Sequence, residues 1–413
     1  MQHVIIGNGP AGVVAADTLR KADPQASIIL LGDEPEPPYG RMAIPYLLEG
    51  NIDEAGTHLR RDADHFTRHD IELRQGRVTT VDTEASELTL DGGDALGFDH
   101  LLIATGSRPN RPPIPGIDDP RVQTCWTLAD ARAIAQLADK DAEVVLLGAG
   151  FIGCIVLEAL AARGVKLTVV EMADRMVARM LDANAGSMLG TWCEQHGVSV
   201  RTGVSVTGVD GSGERLDVSL DDGSSLPAQL LILAAGVRPN IDFLDGSGIE
   251  TDNGILVDEC LHTSKPGIFA AGDVAQGRDF STGHRMVHAI QPVAADQGRC
   301  AAMNMAVHPT AYPGGLAMNV LSTLGLVSCS FGAWGGVEGG DSAQLLDQER
   351  FRYLNLQFAE DRLVGATGIG LTEHVGALRG LIQSRQRLGP WKARLQRDPT
   401  RIMEALVGCS VQL

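Results

Sequence analysis

Val4-Ile5-Ile6-Gly7-Asn8-Gly9-Pro10-Ala11-Gly12 is echoed 141 positions later by Val145-Leu146-Leu147-Gly148-Ala149-Gly150-Phe151-Ile152-Gly153. Each copy follows an apolar run of strand length and opens an alanine- and leucine-rich stretch with helical character. Each leads on to a second apolar run that ends in acid, Ile28-Ile29-Leu30-Leu31-Gly32-Asp33-Glu34 and Leu167-Thr168-Val169-Val170-Glu171. A third echo sets Thr105-Gly106-Ser107-Arg108-Pro109-Asn110 against Ala235-Gly236-Val237-Arg238-Pro239-Asn240. Strand, glycine turn, helix and second strand are therefore laid down twice in one chain, as two βαβ halves built alike.

The glycine spacing has a physical purpose. In each half the first glycine makes the tight turn, and the second lets a pyrophosphate approach the backbone. The third lets helix and strand pack closely, while the helix N-terminus favours negative charge. The acids stand 22 and 18 residues past the third glycine, where a carboxylate accepts hydrogen bonds from a ribose. Two such sites imply two dinucleotides. The stretch Gly267-Ile268-Phe269-Ala270-Ala271-Gly272-Asp273 tells them apart, because an Asp just past a buried strand can reach a ribityl hydroxyl, which a flavin has and a nicotinamide nucleotide lacks.

The chain has 413 residues, enough for two or three domains. Its 34 Lys and Arg against 52 Asp and Glu give a net charge of −18, which disfavours nucleic acid and anionic membranes as partners. Aromatic residues are only 4%, too few for base-stacking platforms. Met1-Gln2-His3 runs straight into the first apolar strand, so no secretory signal is expected and the cytoplasm is the expected location. The uncharged run of 21 residues from Ala317 to Val337 holds four glycines and several polar residues, so it reads as a buried strand or interface segment and not as a membrane span. Seven cysteines are scattered at least 29 residues apart, without Cys-x-x-Cys or zinc-finger spacing. Buried, reduced thiols and no metal are expected. His65 and His69, at metal-compatible spacing beside Asp62 and Asp64, are equally well explained as a polar surface helix.

Domain limits follow from the punctuation. Arg111-Pro112-Pro113-Ile114-Pro115-Gly116 is a stiff hinge, and a second crossing falls near Asn240-Ile241. From about Thr310 the helix–strand alternation stops, and alternating polarity points to an antiparallel sheet followed by helices after Leu371. The expected domains are residues 1–112 with 243–309, residues 113–242, and a C-terminal α+β domain of residues 310–413.

Taken together these motifs resemble the FAD-dependent pyridine nucleotide-disulfide oxidoreductase superfamily, on the side of the ferredoxin and rubredoxin reductases and NADH oxidase-like flavoproteins. The residues that carry the likeness are Gly7, Gly9 and Gly12, Leu102 to Gly106, Gly148, Gly150 and Gly153, and Thr263 through Asp273. The resemblance implies an α/β fold with two Rossmann-like dinucleotide-binding domains, glutathione-reductase-like, plus a C-terminal α+β domain. It implies FAD in the first half and NADH in the second, with hydride passing between them. Around FAD it implies Gly7, Gly9, Pro10, Ala11, Gly12, Asp33, Glu34, Arg41, Ala104, Thr105, Gly106, Gly272, Asp273, Gln291 and Pro292. Glu34 is expected on the adenosine ribose, Arg41 near the flavin and Asp273 on the ribityl chain. A helix from Pro292 to Ala306 is expected to turn its positive end to the flavin C2 carbonyl, and His288 is either a flavin neighbour or a packed core histidine. Around NADH it implies Gly148, Gly150, Phe151, Ile152, Gly153, Glu171 and Gly236. Glu171 favours NADH over NADPH, although Arg175 lies four residues further on.

Three positions depart from the family. Met42 follows Arg41 where the disulfide and peroxidase branches carry redox cysteines, so neither thiol chemistry is available. Tyr46 replaces a Lys, and Ile155 stands where a Glu commonly contacts the nicotinamide, with Glu158 one turn on. Electrons must therefore leave the flavin for an external acceptor. The first candidate is a small acidic carrier of rubredoxin or ferredoxin type, because Arg379, Arg385, Arg387, Lys392, Arg394, Arg397 and Arg401 cluster against a single Asp398. The same cluster is also explained as a solvated helical face. The alternatives are oxygen or a small-molecule acceptor, or a flavin-binding subunit of a larger complex. A homodimer is one assembly compatible with the family.

Overall fold

The computed structural model describes residues 1–410. The repeated segments fold as expected. In the first half they form β1 (Gln2–Ile6), α1 (Pro10–Ala22) and β2 (Ser27–Gly32). In the second they form β3 (Glu143–Leu147), α2 (Phe151–Ala162) and β4 (Lys166–Glu171). The chain divides into two compact units.

The first unit holds Met1–Leu47, Ile52–Arg108 and Val237–Gly315. Its parallel sheet runs Ile268–Ala270, His100–Ile103, β1, β2, Ile71–Gln75. Val4, Ile5, Leu30, Leu31, Leu101 and Leu102 are buried and make these strands near-continuous apolar runs, as a sheet covered on both faces requires. One face is covered by α1 and by α3 (Gln291–Met305), which cross at a glycine. A Cβ on Gly298 would lie 2.2 Å from the Ala11 carbonyl oxygen, so only glycine permits this approach.

The second unit holds Leu48–Asn51, Pro109–Gly236 and Leu316–Leu413. Its parallel sheet, in the order Ser199–Thr202, β4, β3, Leu230–Leu233, Val122–Thr124, again places the first strand of the repeat at the centre. Each half also carries a three-stranded antiparallel insertion, Val78–Gly97 and Val206–Ala228.

Residues 316–410 build a five-stranded antiparallel sheet in the order Met318–Thr323, Leu326–Gly332, Arg362–Ile369, Arg352–Ala359, Asp341–Asp347. Three helices follow, α4 (Val375–Ser384), α5 (Pro390–Arg397) and α6 (Ile402–Ser410). The uncharged run is thus the first hairpin of this sheet, and no helix among the described residues is long and apolar enough to cross a membrane. The sheet clusters with the second unit through polar ties as well as packing. Tyr353 Oη and Asn355 Nδ2 donate to Asp182 at 2.6 and 3.0 Å, and Trp192 Nε1 donates to the Leu324 carbonyl at 3.2 Å.

Candidate functional site: two glycine cradles

Gly7 and Gly148 have φ of +107° and +104°, in the region that favours glycine. A Cβ on Gly7 would lie 2.1 Å from the Ala104 carbonyl oxygen, and one on Gly148 would lie 2.4 Å from that of Ala234. A Cβ on Gly12 or Gly153 would lie 1.9 or 2.1 Å from the carbonyl oxygen of the first glycine of its own loop. Around Gly9 and Gly150, by contrast, a Cβ would meet no atom within 4 Å.

Gly9 and Gly150 cap α1 and α2 in the same extended conformation, with no side chain hydrogen-bonded to the helix end. Pro10 at the helix start has no N–H to satisfy. The N–H groups of Ala11 and Gly12, and of Phe151, Ile152 and Gly153, lie in the first turn, outside the intrahelical ladder. Each half therefore presents a bare, electropositive helix end beside an open backbone face. That is a cradle a Cβ would fill and a pyrophosphate fits.

Beside the first cradle, Gly106 turns with φ +64° and its carbonyl accepts the Asn240 N–H at 2.9 Å. Thr105 and Asn240 exchange two more hydrogen bonds at 2.9 Å. Gly236 repeats the turn with φ +86°, and its carbonyl accepts the Asn110 N–H at 2.9 Å.

Asp33 is exposed just past β2, whereas Glu34 is half-buried and closed onto its neighbours. It accepts from Tyr39 Oη and from Arg41 Nη2, both at 2.6 Å. Arg41 Nη1 also donates to Tyr39 Oη at 3.1 Å. The two residues expected at separate parts of one ligand are thus joined directly. Asp273 follows Gly272, whose φ is +81°. Burial pushes the Asp273 carboxyl up from its ordinary value, opposed by the Ser107 hydroxyl, which donates at 2.8 Å, and by the charge of Arg41. Gln291 and Pro292 are exposed at the uncapped start of α3.

In the second half Glu171 is fixed by its own loop. Its Oε2 accepts the Ala149 N–H at 2.7 Å and its Oε1 the Ala173 N–H at 2.8 Å. Arg175 is occupied, donating to Asp174 at 2.7 Å and to the carbonyls of Leu181 and Ala178 at 3.2 and 3.4 Å. Ile155 is half-buried, and Glu158 accepts from Ser322 at 3.3 Å.

Several residues at these sites escaped the sequence reading. Ser107 is buried and pairs with Asp273, and buried Gln297 accepts the Gly272 N–H at 2.8 Å. A glutamine on the apolar face of α3 was the one available signal. His65 pairs with Asp17 at 2.8 Å, within an ion cluster shared with Arg60. His288 is buried and held to Asp279 at 2.9 Å. All seven cysteines are free, and burial pushes the thiols of Cys125, Cys193 and Cys329 up to about 12.

Residues 1–298 match the family model described as pyridine nucleotide-disulphide oxidoreductase. The chain belongs to this family. It is an oxidoreductase, and FAD and a nicotinamide nucleotide are the cofactors of its two cradles' family. The epsilon subunit of NADH-dependent phenylglyoxylate dehydrogenase from Aromatoleum evansii is 32% identical over 402 residues, covering 96% of this chain and 95% of that subunit. Rhodocoxin reductase from Rhodococcus erythropolis is 34% identical over 315 residues, covering 76% of this chain and 74% of the relative. Among solved structures, the ferredoxin reductase for the CYP199A2 system from Rhodopseudomonas palustris superposes with a TM-score of 0.83 at 29% identity, covering 91% of this chain and 92% of that one. Unlike the disulphide reductases for which the family is named, this oxidoreductase has Met42 beside Arg41 and no pair of cysteines close in sequence.

Proposed function

We propose that the protein is a cytoplasmic NADH-oxidising flavoenzyme that passes electrons to a small acidic carrier of ferredoxin or rubredoxin type. In this reading residues 1–112 with 243–309 hold FAD, residues 113–242 hold NADH, and residues 310–413 receive the carrier. Bound FAD supplies a centre that takes a hydride's two electrons and returns them outward. The chain's own groups bind and orient. The first turn of α1 holds the FAD pyrophosphate, Glu34 the adenosine ribose and Asp273 the ribityl hydroxyls, with Ser107 keeping the carboxylate aimed. The first turn of α2 holds the NADH pyrophosphate and Glu171 its ribose. The exposed start of α3 favours negative charge on the flavin ring.

The observation that carries the reading is the pair of bare helix ends in a chain with no redox thiol beside Arg41. With no cysteine pair to receive them, electrons leave for an outside acceptor. Two relatives whose names describe reductases of carrier proteins favour a carrier. The basic segment supports it, since Arg387, Arg394 and Arg397 are exposed and form no ion pair among the described residues. Lys392 and Arg401 pair with Asp341 and Glu404. The full-length match to a dehydrogenase subunit favours a second reading, a flavin subunit within a larger complex. Carrier reduction and oxygen uptake, measured with the isolated chain and NADH, separate the readings. Rapid reduction of a ferredoxin or rubredoxin supports the first, and a chain inert to every soluble acceptor supports the second.

A further inference from the structure

We propose that Asp258, Cys260 and His262 form a binding site for one divalent transition-metal ion of the zinc class, on the loop between Ile255–Leu256 and Ile268–Ala270. In extended chain the side chains of alternate residues share a face but stand too far apart to meet at one point. Here the chain folds back on itself. Leu261 adopts φ +64°, a conformation costly for a residue with a Cβ, and its side chain is anchored in the core with 1% exposure. The Leu261 N–H donates to the Asp258 carbonyl and the Asp258 N–H to the His262 carbonyl, both at 3.1 Å. As a result a carboxylate oxygen, the Cys260 sulfur and a His262 ring nitrogen all lie within 4.8 Å of one another.

The donor set is specific. Thiolate and imidazole select zinc-like ions over magnesium or calcium, and a carboxylate completes a three-ligand set that leaves one position for water. Zinc bonds of 2.0–2.3 Å put tetrahedral donors about 3.5 Å apart, so closing from 4.8 Å asks for side-chain movement only. Asp258 and His262 already stand at 3.1 Å, Oδ2 to Nδ1.

The backbone is held for the task. Asn304 Nδ2 donates to the Cys260 carbonyl at 2.9 Å, and the Ala270 N–H donates to the Leu261 carbonyl at 3.2 Å. Asp258 Oδ1 accepts the N–H groups of Cys260 and His262 at 2.8 and 2.9 Å. The His262 ring rests against Phe269, with ring centroids 4.8 Å apart. Binding replaces the thiol proton of Cys260 with the metal and releases it to solvent, with no change of oxidation state. Asn304 is in the last turn of α3, about 20 Å along the helix from Gln291 at 1.5 Å per residue, so the ion serves as a clip on this loop and not as a redox centre.

The test uses FAD-loaded protein freed of metal with a chelator. Calorimetric titration with Zn2+ is expected to show one ion bound and one proton released, and the Tm to rise with the logarithm of metal concentration. Co2+ is expected to give visible ligand-field bands beyond the flavin absorption, with a thiolate charge-transfer band. Cys260→Ser and His262→Gln are each expected to weaken Zn2+ binding at least tenfold, with FAD content unchanged. No binding at micromolar Zn2+, or equal binding by both variants, overturns the site. If a variant fails to retain FAD, iodoacetamide labelling of the wild-type chain decides. Zn2+ is expected to protect Cys260, and labelling indifferent to Zn2+ overturns the proposal.

Discussion

Glu171 Oε2 accepts the backbone N–H of Ala149 at 2.7 Å, joining the end of β4 to the middle of the glycine loop. Through this bond the acid proposed to hold a ribose also sets the shape of the glycine loop proposed to hold a pyrophosphate. Each carboxylate oxygen has a second lone pair, so both duties are compatible.

In the proposed function Glu171 governs nucleotide choice while it orders the glycine loop. Its carboxylate repels a 2′-phosphate, and Arg175, spent on Asp174 and two carbonyls, offers no compensating cation. NADH is expected to be preferred over NADPH in kcat/KM. Glu171→Ala removes charged hydrogen bonds worth about 1.5–3 kcal/mol, so KM for NADH should rise about tenfold or more. The steady-state constants of the wild-type chain and of Glu171→Ala with both nucleotides check this.

Asp273 is aimed by Ser107 at 2.8 Å. Asp273→Ala should weaken FAD retention by about one to two powers of ten, the worth of charged hydrogen bonds to hydroxyls. Ser107→Ala should have a smaller effect in the same direction. Flavin content after dialysis reads both, and full occupancy in Asp273→Ala would remove the residue from the site.

A pair of histidines should make the first unit acid-sensitive. His3 and His100 stack with ring centroids 5.3 Å apart at the start of adjacent strands. Burial holds His3 below its ordinary value of 6.5, reinforced by His100, and burial holds His100 down as well. With both held down in the folded chain, the unfolded chain binds more protons below pH 6.5, so the stability these two residues contribute is full above that value and declines as pH falls from it. Urea midpoints should drop between pH 7 and pH 5, and His3→Phe should flatten the slope.

Both cradles were legible in the sequence because glycine spacing reports directly on backbone crowding. The positions of Gly7, Gly12, Gly148 and Gly153 forbid a Cβ, and no other residue could stand there. The antiparallel C-terminal sheet was legible from the alternation read in residues 351–356 and 362–366, which fall in the strands Arg352–Ala359 and Arg362–Ile369. What the sequence did not disclose depends on long-range pairing. Ser107 meets Asp273 across 166 residues, and Tyr353 meets Asp182 across 171. The basic segment was only half legible. Its charges were countable, but the anions that neutralise Lys392 and Arg401 could be located only in the folded chain.

That segment yields a prediction on salt. Arg394 stacks on Trp391 at 4.3 Å, and Arg397 ends the same helix, α5. Electron transfer to an acidic carrier should slow as salt rises, since charge steering is screened over about 10 Å at 0.1 M. Reversing Arg394 and Arg397 to Glu should lower the carrier-dependent rate and leave flavin reduction by NADH unchanged. Rates indifferent to salt and to the reversal would mark the segment as a solvated face.

The most direct measurement is an anaerobic two-step stopped-flow experiment on the FAD-loaded chain. NADH is mixed first, then oxidised ferredoxin or rubredoxin. NADH is expected to bleach the yellow flavin with no disulfide reduced and no new thiol appearing, and the carrier to restore the colour as it becomes reduced. A flavin that stays yellow with NADH, or that bleaches and cannot be reoxidised by any acidic carrier, would contradict it.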